Sequence, residues 1–149
     1  MPLPKSPMPT RPDLIRGLLA YKQHGWDAFT DEHGNIMIGV GEHFDAITFP
    51  QSLATTITDA LPNAPLFLDA STHRCTLLTK QAPRALALPA ALREARVRAL
   101  PRHTPLLLPL PAGLDVDRHW LTDPTPHHLP SWARAIAAMF RTTLRWSRA

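Results

Sequence analysis

Three residues in the C-terminal third of the chain have the types and spacing of a hard-metal site. Asp115, Asp117 and His119 alternate along the sequence, so their side chains would share one face of an extended segment. Carboxylate and imidazole groups in that arrangement can ligate a divalent cation. The segment follows a Pro-Ala-Gly stretch at residues 111–113, which is typical of a turn. An exposed loop is therefore the preferred interpretation, and a metal site formed by Asp115, Asp117 and His119 is the alternative.

A second polar group surrounds a predicted turn earlier in the chain. Glu42, His43 and Asp45 follow closely on Gly39 and Gly41. The glycine spacing and the lack of a lysine distinguish this stretch from a phosphate-binding P-loop. A β-turn between two strands explains these residues without a ligand.

Cys75 is the single cysteine, which excludes an intramolecular disulfide and a cysteine-rich metal site. It lies in an apolar segment, so we interpret it as a small buried residue. A nucleophilic thiol would need a neighbouring base, and His73 is the nearest in sequence. His127 and His128 lie in a proline-bounded connector, which favours exposed loop histidines over metal ligands.

Arginines provide the candidate nucleic-acid contacts. The net charge is +4 and the pI is about 10.0, a balance that permits binding to nucleic acid. The candidates fall into two groups, namely Arg93, Arg96, Arg98 and Arg102 in one segment, and Arg134, Arg141 and Arg145 on a predicted C-terminal helix. Solvated helix and loop faces are the alternative explanation of the same charges.

Length and composition indicate one domain with its own core. The chain has 149 residues, of which 44% are hydrophobic, enough for a single folded unit. The 17 prolines concentrate at residues 2–12, 100–111 and 124–130 and separate the periodic segments. We expect a disordered tail at residues 1–11 and a domain at 12–149. No apolar run is long enough to span a bilayer and the N-terminal residues lack a secretory core, so a cytoplasmic protein without membrane contact is predicted.

The periodic segments predict alternating helices and strands. A helix begins near Pro12 and ends at Gly25, and a hairpin follows at residues 26–40. Further strands are predicted at residues 44–49, 66–68, 75–79, 96–100, 106–108 and 119–121, with helices at 52–61 and 89–95. Ser131 caps a last helix that runs to about Trp146. This order predicts an α+β fold, a single domain with a mainly antiparallel sheet flanked by helices.

The order of these elements and several short stretches resemble the primase-polymerase domain of the archaeo-eukaryotic primase fold, the type found at the N-terminus of bifunctional DNA primase/polymerases. The stretches are residues 18–29, 39–50, 61–80, 100–111 and 119–124. In active members of that family, the strand matching residues 44–49 ends in a metal-binding Asp-x-Asp, and a histidine follows a small polar turn. The resemblance places Thr48 and Pro50 at the acidic positions and Cys75 near the histidine. The family's zinc-binding insertion has no counterpart here.

The resemblance therefore implies the fold without the polymerase chemistry. We predict a non-catalytic, nucleic-acid- or nucleotide-associated accessory domain that needs no cofactor. One alternative is a divergent metal-dependent nucleotidyltransferase that uses Asp45, Asp115, Asp117 and His119. Another is a protein-interaction module that docks a partner through the proline-rich tail and the basic helix.

Overall fold

Two antiparallel sheets and four α-helices form the part of the chain that the computed structural model describes. That part comprises residues 11–82, 88–110 and 117–148, with the backbone alone at residues 11, 126 and 145–148. The helices are α1 (Arg11–Gln23), α2 (Ala54–Ala60), α3 (Ala90–Glu94) and α4 (Trp132–Arg148). The strands are β1 (Phe29–Thr30), β2 (Ile36–Gly39), β3 (Asp45–Pro50), β4 (Leu66–Asp69), β5 (Arg74–Thr79), β6 (Arg98–Ala99), β7 (Pro105–Leu108) and β8 (Arg118–Thr122).

The α+β class, the single domain and the antiparallel pairing are confirmed. The strands divide between two sheets, in the orders β1-β2-β7 and β6-β3-β5-β4-β8, where the sequence predicted one main sheet. The predicted tail at residues 1–11 lies outside the described residues except for Arg11, which begins α1. None of the described helices is long and apolar enough to cross a membrane.

Helices α2, α3 and α4 cover one face of the five-stranded sheet. Alternate residues of β3, β4 and β5 point to this side because side chains alternate along a strand. They form one core with the inner faces of the helices, and its sheet members are Ile47, Phe49, Leu66, Leu68, Cys75 and Leu77. The same alternation sends Thr48, Arg74 and Thr76 to the other face.

The three-stranded sheet and α1 cover part of that other face. Ala46, Phe67 and Leu78 pack there against Ile36 and Ile38 of β2 and against Tyr21 of α1. Strand β7 lies at the edge of the small sheet, paired only with β2 among the described strands. An edge position suits a segment flanked by prolines, because proline has no N–H to donate to a second neighbouring strand. The small sheet and α1 do not cover the C-terminal end of β3, where the polar side chains of Thr48 and Arg74 lie at the surface.

Ser131 caps α4 as predicted, since its Oγ accepts a hydrogen bond from the Arg134 backbone N–H at 3.1 Å. The spacing of the large apolar residues on α4 predicts an inward stripe, and its members Trp132 and Met139 are buried. Ala135 and Ala138 are fully buried, while Phe140 and Leu144, which the sequence pattern placed on the inner side, are each 38% exposed. Small residues face inward because α4 packs against both α2 and α3.

Candidate nucleic-acid interface

Three arginines surround the C-terminal end of β3 on the sheet face that faces away from helices α2, α3 and α4. Thr48 pairs with Thr76 of β5 on one side and with Arg98 of β6 on the other. In the next row, Pro50 pairs with Arg74. Residues directly opposite each other in an antiparallel pair share a face. Arg74 and Arg98 therefore lie on the same surface, together with Arg96 from the turn before β6; we call these three the arginine cluster.

Arg74 is the fixed centre of the arginine cluster. Its Nη2 donates hydrogen bonds to Thr48 Oγ1 at 3.0 Å and to the Arg96 carbonyl oxygen at 2.8 Å. Burial first, and then the positive charges of Arg98 and Arg96, lower the pKa of the Arg74 guanidinium. An arginine remains protonated despite such a shift. The fold thus holds one guanidinium rigidly against Thr48 and places two more cations beside it.

The turn that carries Arg96 ends α3 in a left-handed residue. Arg96 has φ 63°, its N–H donates to the Arg93 carbonyl, and the Val97 N–H donates to the Leu92 carbonyl. This pattern is the Schellman motif, in which the left-handed position normally holds glycine. An L-residue there costs about 1 kcal/mol or more. The turn points the Arg96 carbonyl at Arg74, so this strained position helps to build the cluster.

We expect Arg96→Gly to stabilise the fold while weakening anion binding. Glycine relieves the left-handed backbone, so the free energy of unfolding should rise by about 1 kcal/mol in urea denaturation. The variant also loses one cation of the cluster. His103→Gly is the matched control, because His103 has φ 70° and lies outside the cluster. It should stabilise the fold without changing anion binding; a decrease in stability for Arg96→Gly would contradict this account.

No carboxylate forms an ion pair with the arginine cluster in the described part of the chain. The ion pairs there join Arg16 to Asp13, Arg102 to Asp45 and Arg118 to Asp69. Arg96 and Arg98 are exposed, so both guanidinium groups can meet a ligand from solvent. Guanidinium groups match phosphate oxygens with two parallel N–H donors. The arrangement is suited to binding phosphate.

The other predicted arginines lie elsewhere. Arg93 is exposed on α3, one turn before Arg96. Arg102 donates hydrogen bonds to Asp45 Oδ2 at 3.5 Å and to the Ala82 carbonyl, so it has a structural role. Arg134 and Arg141 are exposed on α4, which covers the opposite face of the five-stranded sheet. The side chain of Arg145 lies outside the described residues.

Arg74 lies beside Thr48 and Pro50, the two positions at which the resemblance implies metal-binding acids in active members of the family. Thr48 offers a hydroxyl that already accepts from Arg74, and Pro50 offers no side-chain ligand. Cys75 lies on the other face, fully buried between Phe49 and Leu68. Burial raises the pKa of the Cys75 thiol to about 11, so thiolate is scarce at neutral pH. The interpretation of Cys75 as a small core residue is confirmed.

Of the carboxylates proposed for a rearranged metal site, the two that the structure describes, Asp45 and Asp117, are not brought together. Asp45 begins β3, whereas the backbone carbonyl of Asp117 accepts a hydrogen bond from the Ala70 N–H at the opposite end of the sheet. Five residue steps separate Asp45 from Pro50, or roughly 17 Å along the strand. His119 pairs with Leu68 and faces the helix-covered side of the sheet. Asp115 lies outside the described residues.

Asp45 is buried in structural contacts, unlike the exposed Glu42 three residues before it. Its side chain is 6% exposed, and Oδ2 accepts a hydrogen bond from the Ala82 N–H at 2.6 Å. His127 and His128 form a short 3-10 turn and are exposed. They line a cleft of about 460 Å³ with Lys80 and Arg134.

Arg74 is not among the functional candidates predicted from the sequence, because its neighbours His73 and Cys75 are the residue types expected at a nucleophilic site. The sequence does contain a signal for Arg74. It alternates with Thr76 along β5, which places a cation on the side of the sheet that lacks Cys75.

Comparison of the chain with protein-family models, with curated proteins and with solved structures gave no match.

Proposed function

We propose that this chain is a non-catalytic, primase-polymerase-like domain of the cytoplasm that binds the phosphate backbone of nucleic acid through the arginine cluster. One observation carries the proposal. Arg74 is held between Thr48 and the Arg96 carbonyl, with Arg96 and Arg98 beside it and no carboxylate pairing with any of the three among the described residues.

Clustered cations of this kind are costly unless an anion neutralises them. Like charges within interaction range disfavour each other, and after burial the charges of Arg98 and Arg96 contribute to the lowered pKa of Arg74. A phosphate group removes that repulsion and accepts hydrogen bonds from several guanidinium donors at once. Because the cluster spans two rows of the sheet and the adjoining turn, it can contact more than one phosphate of an extended strand. Phosphate contacts position a nucleic acid without reading its sequence.

The absence of catalysis in this proposal rests on the residues at the end of β3. A metal-dependent nucleotidyl transfer requires carboxylates that hold a divalent ion beside the triphosphate. Thr48 and Pro50 supply no charged oxygen, and the Arg74 guanidinium within hydrogen-bonding distance of Thr48 would repel a cation. The same surface that disfavours a metal ion favours an anion.

Binding of a fluorescently labelled single-stranded oligonucleotide, followed by anisotropy between 50 and 200 mM salt, tests the proposal. We expect tighter binding at low salt, because phosphate contacts release counterions, and weaker competition by a mononucleotide than by an unlabelled strand. No binding at 50 mM salt would overturn the nucleic-acid function. Incorporation of nucleotides into a primed template with Mn²⁺ would overturn the non-catalytic part.

A further inference from the structure

Three metal-ligating side chains meet at the end of β3 that lies away from the arginine cluster. Asp27, Glu42 and His43 each offer one ligand atom, and these atoms all lie within 4.8 Å of one another. Asp27 and Glu42 are exposed and His43 is half-buried. None of the ion pairs formed by the described residues involves these three side chains. The three side chains therefore lie near one another without forming an ion pair with each other.

The turn that carries Glu42 and His43 is held in place by its neighbours. The Gly41 N–H donates to the Phe44 carbonyl at 2.7 Å, and Val40 exchanges hydrogen bonds with residues 103 and 104. The side-chain amide of Gln81 donates to the carbonyls of Gly41 and Glu42 at 2.6 and 2.9 Å. Gly41 has φ 98°, and a Cβ there would stand 2.7 Å from Arg102 Cγ. These constraints fix the backbone from which both ligands project.

Neighbouring residues also position the two carboxylates. Trp26 is 3% exposed and packs edge-on against Phe44, with ring centroids 4.9 Å apart. That contact brings the adjacent Asp27 to the turn. The Glu42 carboxylate lies over Gly39, where an added Cβ would be 3.4 Å from Oε1. Glycine at position 39 thus leaves room for the Glu42 side chain to fold back toward the group.

His43 supplies the second, independent observation. Its Nε2 is enclosed by protein and has no hydrogen-bond partner among the described residues. A buried imidazole nitrogen without a partner is unfavourable, and it can be satisfied by a hydrogen bond or by a metal ion. Loss of solvent at this nitrogen, with two carboxylates beside the ring, distinguishes the group from an ordinary acidic surface.

We propose that Asp27, Glu42 and His43 form a binding site for a divalent transition-metal ion of the zinc class. One imidazole and two carboxylates suit Zn²⁺, whereas Mg²⁺ prefers oxygen ligands alone. Ligand atoms bound to one Zn²⁺ stand roughly 3–4 Å apart, so small rotations of the two exposed carboxylates close the site around the ion. Three protein ligands leave the remaining position to water. The site is separate from the arginine cluster and does not depend on the proposed nucleic-acid function.

Isothermal titration of chelator-treated protein without a histidine tag tests the site, with Zn²⁺ and Mg²⁺ as the probes. We expect one Zn²⁺ per chain and no competition from Mg²⁺ at equal concentration. Asp27→Asn and His43→Gln should each weaken Zn²⁺ binding by more than about tenfold. Asp27 is exposed, so its variant tests the site even where replacement of His43 disturbs the turn.

The double variant His127→Gln/His128→Gln is the matched control for adventitious binding by surface histidines, since the chain contains eight. It should bind Zn²⁺ with unchanged affinity. Wild-type affinity in both Asp27→Asn and His43→Gln would overturn the proposal. So would a loss of binding in the His127/His128 variant alone, or no Zn²⁺ binding by the unmodified chain.

Discussion

The double variant Arg96→Gln/Arg98→Gln will lose most of its affinity for single-stranded nucleic acid. Each phosphate contact on a single strand contributes about 0.7 to the slope of log K against log salt concentration. If each arginine meets one phosphate, the slope should fall by about 1.4 in magnitude. Anisotropy titrations at several salt concentrations measure this slope directly. Both side chains are exposed, so the free energy of unfolding should change little.

The matched control removes the same charge from α4. Arg134→Gln/Arg141→Gln also replaces two exposed arginines, on the helix that covers the opposite face of the five-stranded sheet. We expect the salt slope and the low-salt affinity of this variant to stay close to those of the wild type. A larger loss for the α4 variant than for the Arg96/Arg98 variant would move the interface to the helix.

Asp45→Ala will produce the largest loss of stability among the substitutions considered. The substitution leaves the Ala82 N–H, now bound at 2.6 Å, without its acceptor in a buried setting. An unsatisfied buried donor costs about 1–3 kcal/mol. The ion pair with Arg102 adds little, because that side chain is 40% exposed and solvent screens the interaction. We expect the free energy of unfolding, measured in urea, to fall by about 2 kcal/mol.

Asp59→Ala is the control for this loss. Asp59 is exposed on α2, where alanine favours the helix, so the change in stability should stay within about 0.5 kcal/mol. Equal stability of the Asp45 and Asp59 variants would show that Asp45 is not the structural anchor described. It would then have to be reconsidered as a ligand-binding carboxylate.

Local sequence signals predicted most elements because each is short and bounded by turn residues or prolines. Gly41 and Pro50 bound the segment that predicted β3, and the polar stretch at 69–73 predicted the turn before β5. Ser131 marked the start of α4 through its capping hydroxyl. Strand bounds, turns and helix caps depend on residues only a few positions apart, so a single sequence is enough to predict them.

Contacts between segments far apart in the sequence could not be predicted from such local patterns. Arg74 contacts Thr48 across 26 positions, and Asp27 lies near Glu42 and His43 beside the packing contact of Trp26 with Phe44. The pairing of β3 with both β5 and β6 decides which arginines share a face, and periodicity does not specify that pairing. The same limit explains Phe140 and Leu144, whose exposure depends on how α4 meets α2 and α3.

The most direct test of the proposed function is a nuclear magnetic resonance titration that follows the guanidinium Nε–H signals of individual arginines. A short single-stranded oligonucleotide is added to the labelled protein at low salt. We expect the signals of Arg74, Arg96 and Arg98 to shift together and saturate, while those of Arg134 and Arg141 stay in place. Shifts confined to Arg134 and Arg141, or no saturable shift at Arg74, would contradict binding at the arginine cluster.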